Sequence, residues 1–156
     1  MRRRLALPLA LLALAAAGAA GCGGDDDKDK FVEDYKVLND RLLAVGRDLG
    51  SALQGARGKS NKQLSEQFAG FALRLGAVNK DIRGLDPPDE LKDDSDELSK
   101  QIDAAVENLR EISGAAGNND PQAAAAATVE LGTTSQDLNR AQNKLAEETG
   151  AAKGSS

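Results

Sequence analysis

The chain alternates between apolar and polar positions with a period close to 3.5 residues over most of its length. From Phe31 onward, apolar side chains recur at alternating steps of four and three residues, and the rhythm restarts after each interruption. This spacing places the apolar side chains on one stripe of an α-helix. The pattern predicts four amphipathic helices, at about residues 31–54, 61–84, 87–113 and 121–148.

The fourth stripe differs from the others in the size of its side chains. The first three stripes are rich in leucine, isoleucine, valine and phenylalanine, whereas every second step of the fourth holds a small residue. Its members are Ala124, Ala127, Leu131, Thr134, Leu138, Ala141 and Leu145. Small residues let two helices approach closely, and they can also leave a groove for a lipid tail or a partner helix. The pattern alone leaves both interpretations open.

Residues that end and start helices stand between the stripes, which favours four helices over one long coiled coil. Gly55 follows the first stripe, and Ser60 with Gln63 has the form of a capping box. Two Asp-Pro dipeptides, at residues 86–87 and 120–121, each supply an N-cap followed by proline at the first helical position. Because short connections force neighbouring helices to run antiparallel, we expect an all-α fold, an antiparallel up-down four-helix bundle.

The amino-terminal segment has a different character. Arginines occupy positions 2 to 4, and residues 5–21 then carry no charge. A cationic region followed by an apolar region is the layout of a secretory signal, and the apolar run is shorter than the roughly 20 residues that span a membrane as a helix. The sequence predicts a removed signal peptide at residues 1–21, with an uncleaved amino-terminal anchor as the alternative.

The only cysteine, Cys22, follows this segment directly. Small residues precede it in A-A-G-C, and an intrachain disulfide would need a second cysteine, which the sequence lacks. The A-A-G-C segment resembles the lipobox of bacterial lipoproteins. In that family a diacylglyceryl group is attached to the thiol and the signal is cut before the cysteine. The resemblance implies a lipid attached to Cys22 that holds the protein at the outer face of a bacterial cell membrane.

Polar, glycine-rich segments flank the stripes. Residues 22–30 are predicted to be a lipidated flexible tether, and residues 150–156 a disordered tail. The bundle occupies residues 31–149 between them. Within it, L-D-P-P-D-E-L at residues 85–91 is similar to the Pro-Pro turn of uncharacterised small secreted helical proteins of bacteria, and we interpret it as a stiff connector.

Charge limits the partners that the protein can have. Residues 22–156 carry 17 basic and 25 acidic side chains, a net charge of −8, so nucleic acid is not an expected partner. Residues 31–85 hold nine bases and six acids, whereas residues 86–149 hold five bases and fifteen acids. This asymmetry either helps the two helical hairpins to dock on each other or offers an acidic face to a basic partner.

The chemistry of most enzymes is missing. The sequence has no histidine, which removes the usual catalytic triads and the Glu-x-x-His sites of di-metal bundles. No aspartate, glutamate or lysine stands at a stripe position, and the acids after Pro88 lack the register of a calcium loop. We therefore expect no enzyme, no cofactor and no metal; carboxylate catalysis is the remaining catalytic hypothesis.

The expected function is that of a helical interaction or structural module with an unknown protein or cell-envelope partner. Arg57, Lys59 and Lys62 lie in the loop that should be farthest from the anchor, and they are candidate contacts for an anionic partner. The alternative is a carrier that holds an apolar ligand or lipid in a groove beside the fourth helix. Asn39 and Ser95 are the polar residues nearest the predicted core, where they would set helix register or bind water.

Overall fold

The computed structural model describes residues 24–151, and these form four long helices. The helices are α1 (Gly24–Gln54), α2 (Asn61–Arg83), α3 (Asp89–Gly117) and α4 (Pro121–Glu148), with a 3-10 turn at Ala56–Gly58 between α1 and α2. No strand occurs within the described range. The predicted signal peptide, Cys22 and tail residues 152–156 lie outside it.

Hydrogen bonds between helices show that each helix runs antiparallel to the next. In each neighbouring pair, a later position on one helix meets an earlier position on the other. The pairs are Arg41 with Asp81 and Asp48 with Arg74 between α1 and α2, Asn79 with Asp103 and Ser65 with Ser113 between α2 and α3, and Asp94 with Lys144 and Asn108 with Thr134 between α3 and α4. The predicted antiparallel four-helix bundle is confirmed.

The apolar stripes form one continuous core. Leu98, Ile102 and Leu109 of α3 and Leu145 of α4 have no exposed surface. The fourth stripe is buried through both small and large side chains, since Ala127 and Leu131 pack into the same cluster. Helix α4 packs against α3 about as extensively as α2 does. Burying each leucine stabilises the fold by about 1.5–3 kcal/mol before chain entropy is subtracted.

Helix α1 begins at Gly24, so residues 24–30 are helical and not part of the flexible tether that their composition suggested. Asp26 and Asp27 stand near the amino-terminal end of α1, where the helix dipole favours negative charge. Lys28 Nζ donates to Glu90 Oε1 of α3 at 3.0 Å, and Lys30 lies 3.5 Å from Asp34 one turn further on. Glycine and charge content alone misses this favourable order of charges.

The start of α3 also differs from the prediction, which placed Asp86 at the N-cap and Pro87 in the first turn. The helix begins at Asp89, and Pro88 occupies the N-cap position without a side-chain cap. A proline disfavours helical geometry at the residue before it, so Pro88 prevents Pro87 from starting the helix. Asp89 and Glu90 place negative charge in the first turn instead.

Helix α3 continues beyond residue 113, the predicted end, to Gly117. It ends in a Schellman motif: the N–H of Asn119 donates to the Ala116 carbonyl at 3.2 Å, and that of Asp120 donates to the Ala115 carbonyl at 2.9 Å. Asn119 has a φ of 54°, a left-handed conformation that asparagine tolerates better than most residues. The asparagine thus ends the helix, although glycines are the usual sequence signal for this position.

Two predicted helix starts are confirmed. The Ser60 side chain accepts from the N–H of Gln63, whose side chain accepts from the N–H of Ser60, which completes the capping box of α2. Asp120 accepts from the N–H of Gln122 at 3.1 Å, and Pro121 occupies the first position of α4. These caps satisfy backbone donors that the first turn of each helix leaves free.

The core makes the fold sensitive to a single deleted side chain. Replacing the fully buried Leu98 with alanine should lower the free energy of unfolding by about 2–5 kcal/mol, because a cavity remains where the side chain was. Val129→Ala is the matched control, since Val129 is 72% exposed and its truncation should change stability by less than about 0.5 kcal/mol. Urea unfolding at unchanged slope measures both. Equal midpoints for the two variants would contradict this description of the core.

Candidate functional surfaces

The buried polar side chains of the described residues are all uncharged. They are Asn39, Asn79, Ser95, Ser99, Asn108, Gln142 and Thr149. Within residues 24–151, no group of three or more acidic, histidine or cysteine side chains is placed to hold a metal ion. The features that carry specific chemistry are therefore the bonded polar pairs of the core, the two charged ends of the bundle and its surface grooves.

A buried amide pair joins the first helix to the last. Gln142 Nε2 donates to Asn39 Oδ1 at 2.8 Å, and both side chains are buried. A slip of one helix along the other would leave both amides without a partner, so the bond supports the predicted role of Asn39 in setting register. Gln142 stands one position beyond Ala141 of the fourth stripe, and no feature of the stripe pattern indicates it.

A second polar network joins α2 to α3. Asn79 Nδ2 donates to the Ser99 carbonyl at 3.0 Å and to Asp103 Oδ1 at 2.6 Å, and Arg83 donates to the other carboxylate oxygen of Asp103. Ser95 is buried on α3, as its stripe position predicted. The network fixes the registration of α2 and α3, and the stripe pattern gave no sign of Asn79.

Tyr35 presents an unusual buried group. Its side chain has no exposed surface, its ring stacks on Phe31 with centroids 6.0 Å apart, and its hydroxyl has no hydrogen-bond partner among the described residues. Burial raises the pKa of this phenol well above its usual range, so the hydroxyl stays protonated. An unsatisfied buried hydroxyl destabilises a fold, which makes Tyr35 a site where the sequence does not maximise stability.

The end of the bundle nearest Cys22 in sequence, which we call the proximal end, consists of the first turns of α1 and α3 and the last turns of α2 and α4. Here Lys144 Nζ donates to Asp94 Oδ1 at 2.6 Å, and this bond raises the pKa of Lys144. Desolvation, followed by a hydrogen bond with Asp94, raises the pKa of Glu148. A hydrogen bond from its own backbone, followed by the bond from Lys28, lowers the pKa of Glu90.

Two ion pairs link the basic first hairpin to the acidic second one. They are Lys28 with Glu90, at the proximal end, and Arg83 with Asp103. These contacts support the interpretation that the charge asymmetry helps the two hairpins to dock. Each pair is largely exposed, so its contribution to stability is small.

The predicted partner contacts Arg57, Lys59 and Lys62 lie at the opposite end, in a segment that joins α1 to α2 and includes the first two residues of α2; we call it the distal loop (residues 55–62). All three are exposed, and the fold brings them to one end of the molecule. Lys59 Nζ donates to Gln67 Oε1 at 2.6 Å, and Lys62 lies 3.8 Å from Glu66. Within residues 24–151, Arg57 has no acidic partner closer than 4.0 Å. Of the three, Arg57 is therefore the cation most available to a partner, and contact with a partner remains a prediction.

Small residues floor an open groove between α3 and α4, the α3–α4 groove, of about 480 Å³. Ala115, Ala123 and Ala127 line its floor, and three carboxylates stand along it. The carboxylates belong to Glu111, Asp120 and Glu130. The groove lies beside the fourth helix, where an apolar ligand was one of the two alternatives, and it is open to solvent with an acidic rim.

A second groove, the α1–α2 groove, lies between the first two helices and measures about 240 Å³. Its lining consists of Arg41, Ala44, Val45, Arg74, Ala77 and Val78. Arg41 Nη1 donates to Asp81 at 2.7 Å, and Arg74 Nη2 donates to Asp48 at 2.7 Å, so an ion pair stands at each end of an alanine floor. The stripe pattern does not indicate this surface, because its charged residues stand outside the stripes.

None of the helices within residues 24–151 is both long enough and apolar enough to cross a membrane.

Removing the hydroxyl of Tyr35 should leave stability unchanged or increase it. Tyr35→Phe keeps the ring that stacks on Phe31 and removes a buried donor without a partner, so we expect the free energy of unfolding to rise by up to about 1 kcal/mol. Chemical unfolding measures the change. A loss of more than about 1 kcal/mol would show that the hydroxyl has a bonding partner.

Breaking the amide pair of Asn39 and Gln142 should destabilise the fold more than replacing both residues with apolar side chains. Gln142→Leu leaves the Asn39 amide buried without its partner, which should lower the free energy of unfolding by about 1–3 kcal/mol. The double variant Asn39→Leu with Gln142→Leu should recover most of this loss, because no unpaired amide remains. If the two residues are not coupled, the losses of the two single variants add. The double variant is then less stable than Gln142→Leu by the full loss measured for Asn39→Leu alone, and that result would contradict the prediction.

Comparison with known proteins adds no functional information, so a functional proposal rests on the surfaces described above. No protein-family model, no curated protein and no solved structure matches the chain.

Proposed function

We propose that the protein is a lipoprotein anchored through Cys22 outside the cytoplasmic membrane, and that its bundle acts as a non-enzymatic interaction or structural module. The observation that carries the proposal is the segment A-A-G-C at residues 19–22, which follows an uncharged run and ends in the single cysteine, and the structure describes helix from Gly24 onward. A lipid on Cys22 would be followed almost at once by the first helix of the folded domain.

This arrangement gives the proposed anchor a structural consequence. Two residues span at most about 7 Å, so the proximal end would lie close to the headgroups. Helix α1 has 31 residues, which makes it about 46 Å long and would hold the distal loop roughly that far from the bilayer. The acidic residues of the proximal end would be repelled by anionic lipids, which favours an upright bundle over one that lies on the membrane.

The nature of the bundle supports a role in binding rather than in chemistry. Its buried polar side chains are uncharged, and charged side chains lie at the surface, several of them in exposed ion pairs such as Arg41 with Asp81 and Arg74 with Asp48. Such an arrangement provides a stiff body with a patterned exterior. The distal loop, with Arg57 free of a close acidic partner, is the surface best placed for an anionic protein or cell-envelope partner.

A carrier of an apolar ligand is the second candidate, and the α3–α4 groove favours it. Its volume of about 480 Å³ falls in the range of small-molecule sites, and alanines form its floor. The acidic rim would disfavour a fatty acid, whose carboxylate would meet Glu111, Asp120 and Glu130. A neutral or cationic apolar ligand fits this groove better.

The anchor is tested by the chemistry of Cys22. Wild-type protein from a bacterial host should carry diacylglyceryl mass on a chain that begins at Cys22, and it should partition with membranes; Cys22→Ser should lack that mass and remain uncleaved or be released. Ala19→Leu is the matched control, because it restores the leucine usual in a lipobox and should leave lipidation intact or increase it. Intact-mass measurement of the three proteins decides the question. A wild-type mass without lipid would overturn the proposed anchor.

A further inference from the structure

Helices α1 and α2 carry the same short sequence. The segment R-L-L-A-V-G-R-D at residues 41–48 recurs as R-L-G-A-V-N-K-D at residues 74–81. The two copies share their first arginine, the leucine after it, the Ala-Val pair and the final aspartate. They lie opposite one another on antiparallel helices, and together they build the α1–α2 groove.

The repeat makes the two sides of this groove equivalent. Arg41 of the first copy binds Asp81 of the second, and Arg74 of the second copy binds Asp48 of the first, both at 2.7 Å. A two-fold rotation that exchanges the two helices also exchanges the two ion pairs. The groove therefore has a local two-fold axis perpendicular to its floor, with Ala44 and Ala77 on either side of it.

The four charges of these pairs alternate in sign around the groove. Along each helix, arginine and aspartate are seven residues apart, which separates them by about 10 Å on the same face. Across the groove, each arginine faces an aspartate. A two-fold axis that runs along the groove places a second copy of this surface face to face with the first. In that arrangement, every charge meets one of the opposite sign. The surface is thus self-complementary, as an interface between identical subunits requires.

Exposed apolar side chains accompany this charge pattern. Val37 is 59% exposed and precedes Ala44 by two helical turns on the same face of α1; Leu73 is 74% exposed and precedes Ala77 by one turn on α2. The alanine floor permits close approach of another helix. The two arginines and two aspartates cancel, so this face is neutral on a protein that is acidic as a whole, and copies can meet here without net repulsion.

We propose that a second copy of this chain docks on the α1–α2 groove, in a two-fold dimer in which Arg41 of one subunit faces Asp81 of the other and Leu73 lies in the contact. In this dimer, each helix of one subunit runs parallel to the equivalent helix of the other. This orientation, which rests on the proposed anchor, places both Cys22 residues at the same end and lets one membrane hold both subunits. Confinement to a membrane would raise the effective concentration of a weak pair.

A matched pair of surface substitutions tests the dimer. Two forms of the full chain with different carboxyl-terminal tags are co-expressed, one tag is used for purification, and the amount of the other form is measured. Leu73→Glu in both forms should reduce co-purification about tenfold, because each added acid replaces an apolar side chain in the contact, on the side of the groove that faces Asp48 of the other subunit. Val129→Glu is the control, since Val129 is 72% exposed but lies on α4, and it should have no effect. Equal behaviour of the two variants, or no co-purification of the wild type, would overturn the proposal.

Charge inversion tests the pairing itself. The variant Arg41→Asp, Asp48→Arg, Arg74→Asp, Asp81→Arg keeps both ion pairs within each chain and keeps the pattern self-complementary. Wild type should co-purify with wild type, and inverted chain with inverted chain, whereas a mixture of the two should fall about tenfold because like charges meet. Undiminished mixing would overturn the proposed contact. The result does not depend on lipidation, which intact mass reports separately in the same samples.

The orientation has its own test. With the native thiol blocked by lipid, or replaced by serine where it is not, an Ala44→Cys chain mixed with an Ala77→Cys chain should form a mixed disulfide. A disulfide between two Ala44→Cys chains in its place would show antiparallel subunits and overturn the parallel arrangement.

Discussion

Fixing the helix register is the constraint on which the rest of this structure depends. Stripes of leucine, valine, isoleucine and alanine at a period of 3.5 residues bury well in several alignments, because a slip of one heptad brings similar side chains into contact again. The buried amides do not permit such slips. The bond from Gln142 to Asn39 ties α4 to α1, and the bonds of Asn79 tie α2 to α3. Burial provides most of the driving force, and these polar contacts select one arrangement.

The charged surface follows the same division of roles. Arg41 with Asp81 and Arg74 with Asp48 contribute little to stability as exposed pairs, yet they occur only when α1 and α2 are aligned as observed. Because the α1–α2 groove is built from this alignment, its symmetry is a product of the register. The grooves and the two charged ends are therefore properties of the whole bundle and not of any single helix.

The helices and their order could be predicted from the sequence. The amphipathic period, the Ser60 cap and the Asp120 cap are local signals, and no tertiary contact overrides them. The sequence was insufficient where two local signals competed or where the partner lies far along the chain. Composition suggested a flexible segment before Phe31, but the dipole and the contact of Lys28 with Glu90 favour helix. Gln142 and Asn79 lie off the stripes, so only the packed structure shows what they bind. The repeat at residues 41–48 and 74–81 was visible, but its meaning depends on the two copies facing each other.

Helix α1 is continuous from Gly24 to Gln54, so a rotation at one end of the helix moves its other end. A change of about 10° in the tilt of a helix about 46 Å long displaces its far end by about 8 Å. Small rotations imposed at the proximal end would therefore appear as large movements of the distal loop, with the rest of the bundle following as one body. If the proposed anchor holds the first residues of α1, the tilt of this helix at the membrane sets where the distal loop lies.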